Sequence, residues 1–295
     1  MSEHVVRPMQ PGDVAAVERL TSQAFYDVDV RTHRPGLPEP QQRPEERVVP
    51  WLARMRHMLE HDAPGCWVAE DDGRLVGAVA AVRRELMWAL ATFAVLPGEQ
   101  GRGIGRALLD AAGEHARGCL RGMISASSDP AAVRLYHRAG FTLHPWMYLH
   151  GRVPREVLPV VERLREGGPG DVDLMDSVDR QVRGAAHGVD HQVLLTTYRL
   201  VVADRSTGSG YAYVLPEGGV HLLAATNRRT ATDLLWEAVA ASSPDRDCTI
   251  AHVSAQNAWA VDLGLAAGMR LETSGYLALL GMKPPAPYLP SPHFL

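Results

Sequence analysis

The stretch from Gln100 to Leu109 constrains the fold of this chain more than any other. It joins an apolar segment typical of a strand (residues 89–96) to an amphipathic segment typical of a helix. Gly103 and Gly105 carry no Cβ, so the main chain can approach a ligand closely there. The first N–H groups of the following helix lack intrahelical partners and lie at the positive end of its dipole. The stretch therefore predicts a backbone site for an anion such as a pyrophosphate.

Two common phosphate-binding loops do not fit this stretch. The dinucleotide fingerprint G-x-G-x-x-G would need a third glycine at the position of Leu108. The Walker loop ends in Gly-Lys-Ser/Thr, and the single lysine of the chain is Lys283. The remaining pattern is Q-x-x-G-x-G, formed by Gln100, Gly103 and Gly105. A tight strand-to-helix turn whose glycines serve packing alone is the alternative explanation.

A second motif follows the loop in the same half of the chain. Leu135 to Phe141 reads as a helix end followed by a strand, and residues 121–127 read as a strand between two helices. Together with the Q-x-x-G-x-G loop, these elements resemble the GNAT superfamily of acyltransferases, which bind coenzyme A through such a loop. The resemblance covers about residues 4–153.

The composition narrows the remaining function classes. The 295 residues suffice for two ordinary domains, and 46% are hydrophobic without a run long enough to span a membrane. Cys66, Cys119 and Cys248 lie far apart, which predicts neither a disulfide framework nor a metal cluster. The net charge of −4 offers no basic footprint for nucleic acid. We therefore expect a cytoplasmic monomer or homodimer with no metal, no membrane partner and no nucleic-acid partner.

Hydrophobic periodicity predicts an α/β (α+β) fold, and the resemblance implies two tandem GNAT-like domains. Each domain is expected to hold a mixed, mostly antiparallel sheet flanked by helices. In the first half, helices are predicted after Asp13, after Pro50 and from Ile104, with a polar loop at 27–47. Strands are predicted at 67–70, 75–80, 87–96, 198–203, 210–215 and 220–225, and a further helix at 231–241.

The second half repeats the first in weakened form, at an offset of 128 residues. Gly268 then aligns with Gly140, and the counterpart of Tyr136 is Gly264. The predicted domains are a catalytic GNAT domain at 1–153, a linker at 154–170 rich in Pro and Gly, and a degenerate GNAT-like domain at 171–295. A separate α+β domain with chance similarity is the alternative.

The phosphate loop is not preserved in the second half. When Leu234 is matched to Leu108, Gly103 becomes Arg229 and the other glycine becomes Ala231. A Cβ at both positions would crowd a pyrophosphate held by the backbone. One coenzyme A site is therefore expected in the chain, in the first half.

For a GNAT member, the resemblance implies acetyl-CoA as co-substrate and acyl transfer to an amine. Backbone N–H groups on the strand before the loop would polarise the thioester carbonyl. The resemblance implies that Tyr136 protonates the leaving thiolate, and a phenol with an ordinary pKa near 10 is in its protonated, donor form at neutral pH. The residues expected at the cofactor are Phe93, Ala94, Val95, Gln100, Gly101, Arg102, Gly103, Ile104, Gly105, Arg106 and Asp129.

Asp129 stands where the family often has an asparagine that contacts coenzyme A. An ionised carboxylate accepts hydrogen bonds but cannot donate them, so that contact is expected to be altered. Asp129 is also suited to cap the helix that follows.

The general base is open. Some family members carry a strand glutamate at the position of Ala89. Glu85 is the candidate, and Glu70 and the carboxylate of Leu295 are alternatives.

Acceptor recognition is assigned to Phe25, Tyr26 and Asp27, expected just beyond the first helix, and to Trp88. Aromatic and acidic side chains together suit a cationic amine.

These assignments predict an N-acyltransferase that moves an acetyl group from acetyl-CoA to a primary amine of a small molecule. The main alternative is a non-catalytic protein that binds or senses acyl-CoA on the same fold. A nucleotide-binding module would account for the glycines, but its loop would need a lysine that this stretch lacks.

Overall fold

The computed structural model describes residues 4–34 and 39–295, which form two compact units. The first unit extends to Phe141 and the second runs from Thr142 to Leu295. No helix in the described residues is both long enough and apolar enough to span a bilayer.

The first unit contains five strands and four α-helices within its described residues. In chain order they are β1 (Val5–Pro8), α1 (Val14–Thr32), α2 (Val48–Asp62), β2 (Cys66–Asp71), β3 (Arg74–Arg84), β4 (Met87–Val95), α3 (Ile104–Gly113), β5 (Arg121–Ala126) and α4 (Pro130–Arg138). The strands lie side by side in the order β1-β2-β3-β4-β5. All neighbours are antiparallel except β4 and β5, which are parallel. The predicted strands and helices of this half are confirmed.

Helix α1 is longer than the sequence analysis expected. It continues to Thr32, so the predicted loop at 27–47 begins later. Residues 14–34 contain neither Gly nor Pro, and Arg31 pairs with Asp27 one turn earlier at 2.8 Å. Polar composition alone therefore did not mark the end of this helix. The predicted loop also includes residues 35–38, which lie outside the described residues.

The second unit begins with a strand that the sequence analysis assigned to the first domain. Its elements are β6 (Thr142–Gly151), β7 (Arg165–Glu166), α5 (Val172–Val182), α6 (Asp190–Thr197), β8 (Arg199–Arg205), β9 (Gly208–Val214), β10 (Val220–Ala225), α7 (Arg228–Ala240), β11 (Cys248–Val253), α8 (Ala258–Ala266), β12 (Arg270–Leu280) and β13 (Tyr288–Leu289). Strand β6 pairs antiparallel with both β11 and β12, and this long-range pairing places it in the second unit. The compact units therefore divide before residues 142–153.

The other strands of the second unit form an antiparallel meander in the order β13-β10-β9-β8-β7. Helices α5 and α7 pack on β9 and β10, and α8 packs on β6, β11 and β12. Buried side chains of α7, α8 and these strands form one apolar cluster that includes Leu149, Leu234 and Trp259.

The internal repeat stays a prediction, but two helix ends, one in each unit, share a pattern of backbone hydrogen bonds. Phe141 N donates to Tyr136 O at 3.1 Å, and Met269 N donates to Gly264 O at 2.9 Å. Both helix ends pass through a glycine with positive φ, +92° and +80°. Helices α4 and α8 therefore end in the same way, at the predicted offset.

Candidate active site

The loop between β4 and α3 depends on glycines for its backbone conformation. Gly98, Gly101 and Gly103 have φ of +86°, +81° and +86°. A Cβ added at any of them would have no neighbouring heavy atom within 4 Å. These glycines are therefore required by left-handed backbone and face open space, which leaves room for a ligand.

The N-terminus of α3 lies open at the end of this loop. Gly103 is its N-cap, and no side chain in the described residues caps the first N–H groups. Gln100 uses its Nε2 to donate to Val95 O at 3.3 Å, which ties the loop to the end of β4. The uncapped N–H groups lie where the anion site is predicted, and the side chain of Gln100 ties down the loop beside them.

The two arginines of the loop differ in their surroundings. Arg102 Nη1 lies 2.8 Å from Asp71 Oδ2 and also bonds Glu99, and these hydrogen bonds raise its pKa. Arg106 has a side chain that is 82% exposed and lies 3.8 Å from Asp110. Arg106 is therefore better placed than Arg102 to add charge to a phosphate, since two carboxylates already balance Arg102.

Strands β4 and β5 separate where the thioester is expected. Strand β4 pairs with β3 as far as Val95, but with β5 only from Met87 to Leu90. The β3–β4 register also shifts between Leu90 and Thr92. Within the described residues of the first unit, the β5-facing edge of residues 91–95 has no strand partner. This edge contains Phe93, Ala94 and Val95.

Tyr136 lies beside this edge. Its ring centroid is 6.2 Å from that of Phe93, and a Cβ on Gly105 would come within 3.3 Å of Phe93 Cζ. Burial raises the pKa of the Tyr136 phenol, and the nearby charge of Asp129 raises it further. The phenol therefore stays protonated at neutral pH. The loop, the open edge and a proton donor meet on one face of β4.

Asp129 caps α4, as the sequence analysis also allowed. Its Oδ1 accepts from Ala131 N at 3.0 Å, and its Oδ2 lies 3.9 Å from Arg31 Nη2. The residue is 8% exposed. A contact between Asp129 and coenzyme A stays a prediction.

The structure does not bring Glu85 near Tyr136. Glu85 is exposed in the turn between β3 and β4, with φ of +53°. Phe93 follows six residues after Met87 along β4, which at about 3.3 Å per residue is roughly 20 Å. Glu85 is therefore at the far end of the strand, too distant for direct proton transfer. The other two candidates for the general base are also engaged elsewhere. Glu70 pairs with Arg7 at 3.0 Å, and Leu295 is buried in the second unit.

The residues predicted to bind the acceptor are in different settings. Phe25, Tyr26 and Asp27 lie within α1 rather than beyond it, because the helix continues to Thr32. Trp88 is 3% exposed and its ring centroid lies 6.3 Å from that of Phe141; a direct role in acceptor binding stays a prediction.

A polar cluster that sequence reasoning missed lies next to the open edge. Trp51 on α2 has the guanidinium groups of Arg43 and Arg54 over its ring, at 5.0 and 5.6 Å from its centroid. Arg54 Nη1 donates to Thr92 Oγ1 at 3.3 Å, and Arg43 pairs with Glu18. Successive strand residues point to opposite faces, so this cluster and α3 lie on opposite sides of β4. The available signal was the helical i, i+3 spacing of Trp51 and Arg54.

In the second unit, the start of α7 and the position that aligns with Tyr136 are both filled by other side chains. Asn227 caps α7 by accepting from Thr230 N at 2.9 Å, and a Cβ on Gly208 would lie 1.9 Å from Asn227 Nδ2. A Cβ on Gly264 would lie 2.6 Å from Leu149 Cδ2, which leaves no room for a tyrosine. The positions that align with the predicted anion site and with Tyr136 are therefore filled by other side chains in the second unit.

Among the described residues, one trio has the chemistry of metal ligands. Asp179, His187 and His191 are buried, with ligand atoms within 4.8 Å of one another. Arg183 Nη1 donates to His187 Nε2, and His187 Nδ1 lies 2.7 Å from Asp179 Oδ2. Burial and the charge of Arg183 lower the pKa of His187 to about 4. Both ring nitrogens of His187 are engaged beside a buried cation, which disfavours a metal ion; the expectation of no metal stays a prediction.

Comparisons with known proteins point to one family. Residues 23–141 match the model of the Acetyltransferase (GNAT) family. An inferred acetyltransferase from Pyrococcus horikoshii is 20% identical, covers 95% of this chain and 90% of its own, and has a TM-score of 0.70. A GCN5-related N-acetyltransferase from Kribbella flavida is 15% identical, with a TM-score of 0.60, and the match covers 94% of this chain and 71% of that one. Another, from Sphaerobacter thermophilus, is 17% identical, with a TM-score of 0.58, and the match covers 94% of this chain and 95% of that one. No curated protein matches the chain. These findings confirm the predicted resemblance and fold class.

Proposed function

We propose that the first unit, of which residues 23–141 match the GNAT acetyltransferase family model, transfers an acetyl group from acetyl-CoA to a primary amine of a small molecule. One observation carries this proposal. The open edge of β4, the uncapped N-terminus of α3 and the protonated Tyr136 lie together on one face. Thioester transfer to an amine needs a polarised carbonyl, a held cofactor and a proton for the leaving thiolate.

The cofactor would be held mainly by backbone. The pyrophosphate would accept hydrogen bonds from the N–H groups of residues 103–106, with Arg106 adding charge. The thioester would lie along the open edge, and an N–H of Phe93, Ala94 or Val95 would donate to its carbonyl oxygen. A backbone donor in a fixed strand needs no reorganisation as negative charge develops on that oxygen.

The chemical step is a direct attack. The amine nitrogen forms a bond to the carbonyl carbon, and the carbon–sulfur bond breaks. Tyr136 gives its phenolic proton to the departing sulfur, the amine loses a proton to solvent, and the tyrosinate regains a proton from solvent. Solvent is the acceptor we favour because Glu85 lies roughly 20 Å along the strand. We propose that the acceptor approaches from the Trp51 side of β4, opposite α3.

Tyr136→Phe tests the proton donor. We expect kcat to fall about 100-fold or more, because a positioned general acid contributes at least that much. The dissociation constant for acetyl-CoA should stay the same, since the aromatic ring remains. Tyr148→Phe in the second unit is the matched control and should leave kcat unchanged. An unchanged kcat in Tyr136→Phe would remove the tyrosine from the mechanism.

A binding or sensing role is the second candidate, favoured by the distance of Glu85 from the site. Thiol release from acetyl-CoA across a panel of amines separates the two. Cys66 and Cys248 interfere little, because both are buried, with pKa values raised by that burial to about 12 and 11. Measurable turnover supports the enzyme. Tight binding of acetyl-CoA without turnover on any amine supports the sensor.

A further inference from the structure

In the second unit, the edge of β10 is covered by a segment of the same chain. We call residues 285–295 the closing segment. Its strand β13 pairs antiparallel with β10, with Leu289 opposite Leu223 and Tyr288 opposite Ala224. Ala225 N also donates to Pro287 O at 3.3 Å. The closing segment therefore adds one strand to the meander by main-chain hydrogen bonds.

This edge corresponds to the open edge of the first unit. Strand β10 precedes α7 as β4 precedes α3, and β13 lies on the side of β10 away from β9. The next strand, β11, reaches β10 only through a single bridge between Gly219 and Thr249. Both units thus leave a gap after the strand that leads into the helix. In the first unit the gap has no strand within the described residues, and in the second the closing segment fills it.

One asparagine holds the main chain of the closing segment. Asn257 Nδ2 donates to Pro285 O at 3.0 Å, and Asn257 Oδ1 accepts from Tyr288 N at 3.0 Å. Asn257 is 1% exposed and precedes α8, and at the offset of 128 residues it is the counterpart of Asp129. Asp129 thus caps α4 in the first unit, whereas its counterpart Asn257 binds the main chain of the closing segment in the second.

A buried polar cluster holds the side chain of Tyr288. Arg183 Nη1 donates to Tyr288 Oη at 3.4 Å and also donates to Leu295 O. His187 Nε2 lies 3.4 Å from the same hydroxyl, and Asp179 fixes the His187 ring through Nδ1. Tyr288 and Leu295 are fully buried. The cluster therefore satisfies the polar end of an otherwise apolar segment.

We propose that the second unit is a peptide-binding groove and that the closing segment is its resident ligand. The groove takes an extended, largely apolar peptide. The edge of β10 and Asn257 bind its main chain, while Arg183 and His187 bind a tyrosine hydroxyl. The second unit therefore holds a peptide in place of an acyl donor.

The test compares two asparagine variants of the full chain by hydrogen exchange. In Asn257→Ala, the amides of Tyr288 and Leu289 should exchange at least tenfold faster, because their anchor is lost. The amides of α7 and β8 should keep their wild-type rates. Asn227→Ala is the matched control. It also removes an asparagine that precedes a helix of the second unit, but the hydrogen bonds of Asn227 go to Thr207 and Thr230 and not to the closing segment. It should leave the closing segment protected.

Two results of this comparison would overturn the proposal. One is unchanged protection of the closing segment in Asn257→Ala, which would mean that the asparagine does not hold it. The other is equal acceleration across α7, β8 and the closing segment, which would make the segment an inseparable part of the core.

A binding experiment provides an independent measurement. A labelled peptide of residues 285–295 should bind the Tyr288→Ala chain at least tenfold more tightly than wild type, because that chain's own segment has lost its tyrosine anchor while Asn257, Arg183 and His187 remain in the groove. The same peptide with Tyr288→Ala should lose at least tenfold in affinity. Equal binding of the first peptide to both chains, or a second bound acetyl-CoA in the variant, would contradict the assignment.

Discussion

Gly103→Ala is the sharpest perturbation of the proposed cofactor loop. Gly103 has φ of +86° and ψ of −8° at the N-cap of α3. A residue with a Cβ in left-handed backbone costs roughly 1–2 kcal/mol, which in a unit of this size lowers Tm by about 3–10 °C. No steric cost is added, because no heavy atom lies within 4 Å of the new Cβ. The Cβ would, however, occupy the space beside the N–H groups that receive the pyrophosphate.

The affinity for acetyl-CoA should therefore fall at least tenfold, which corresponds to about 1.4 kcal/mol. Gly98→Ala is the matched control. Gly98 has the same φ of +86°, faces the same open space and lies in the same loop, but before Gln100. It should share the loss of Tm and keep a dissociation constant within about twofold of wild type. Isothermal titration calorimetry well below both Tm values measures the difference. Equal dissociation constants for the two variants would refute the placement of the pyrophosphate.

Three further predictions concern stability. Asp129→Ala should cost about 1 kcal/mol in urea unfolding because α4 loses its N-cap, whereas Asp129→Asn should cost little; equal losses would contradict the cap. Asp62→Ala should cost about 3–5 kcal/mol, since this buried carboxylate pairs with the Arg84 guanidinium and bonds the His115 ring; a loss below 1 kcal/mol would contradict that reasoning. Burial opposes the charged form of His191, but the carboxylates of Asp176 and Asp179, which lie 3.3 and 3.6 Å from its Nε2, outweigh burial and raise its pKa. The stabilisation by His191 should therefore be complete below about pH 6.5 and decline as pH rises through the raised pKa, so the Tm difference between wild type and His191→Gln should shrink between pH 6 and 9.

The elements that could be predicted from the sequence are those with a local signal. The strands and helices of both units show hydrophobic periodicity within each segment. The loop at Gly103 contains the glycines that its left-handed backbone requires. The end of α1 was missed because its last turns are polar and exposed, so helical hydrogen bonding there leaves no apolar stripe. The pairing of β6 was missed because partner choice is a long-range property, and the strand looks the same whichever sheet receives it.

The candidate site likewise has one part with a local sequence signal and one part without. Its cofactor side is continuous in sequence from Phe93 to Arg106, so a motif can reveal it. Its acceptor side is assembled by tertiary packing from α2, β4 and the chain before α2, with Trp51, Arg54 and Thr92 far apart in sequence. No spacing rule links such residues. The choice of Phe25 and Trp88 relied on residue type alone, which cannot distinguish a core tryptophan from one in a cleft.

If the predicted repeat is used to align the two units, a few positions separate the proposed cofactor site of the first unit from its counterpart in the second. Tyr136 and Gly264 are counterparts, yet Leu149 fills the space that a second tyrosine would need. Asp129 and Asn257 are counterparts as well, and one caps its helix while the other binds the main chain of the closing segment. A strand edge without a partner is costly for any protein, because its N–H and C=O groups must be satisfied. In the second unit, strand β13 and Pro287 satisfy part of the β10 edge by main-chain hydrogen bonds.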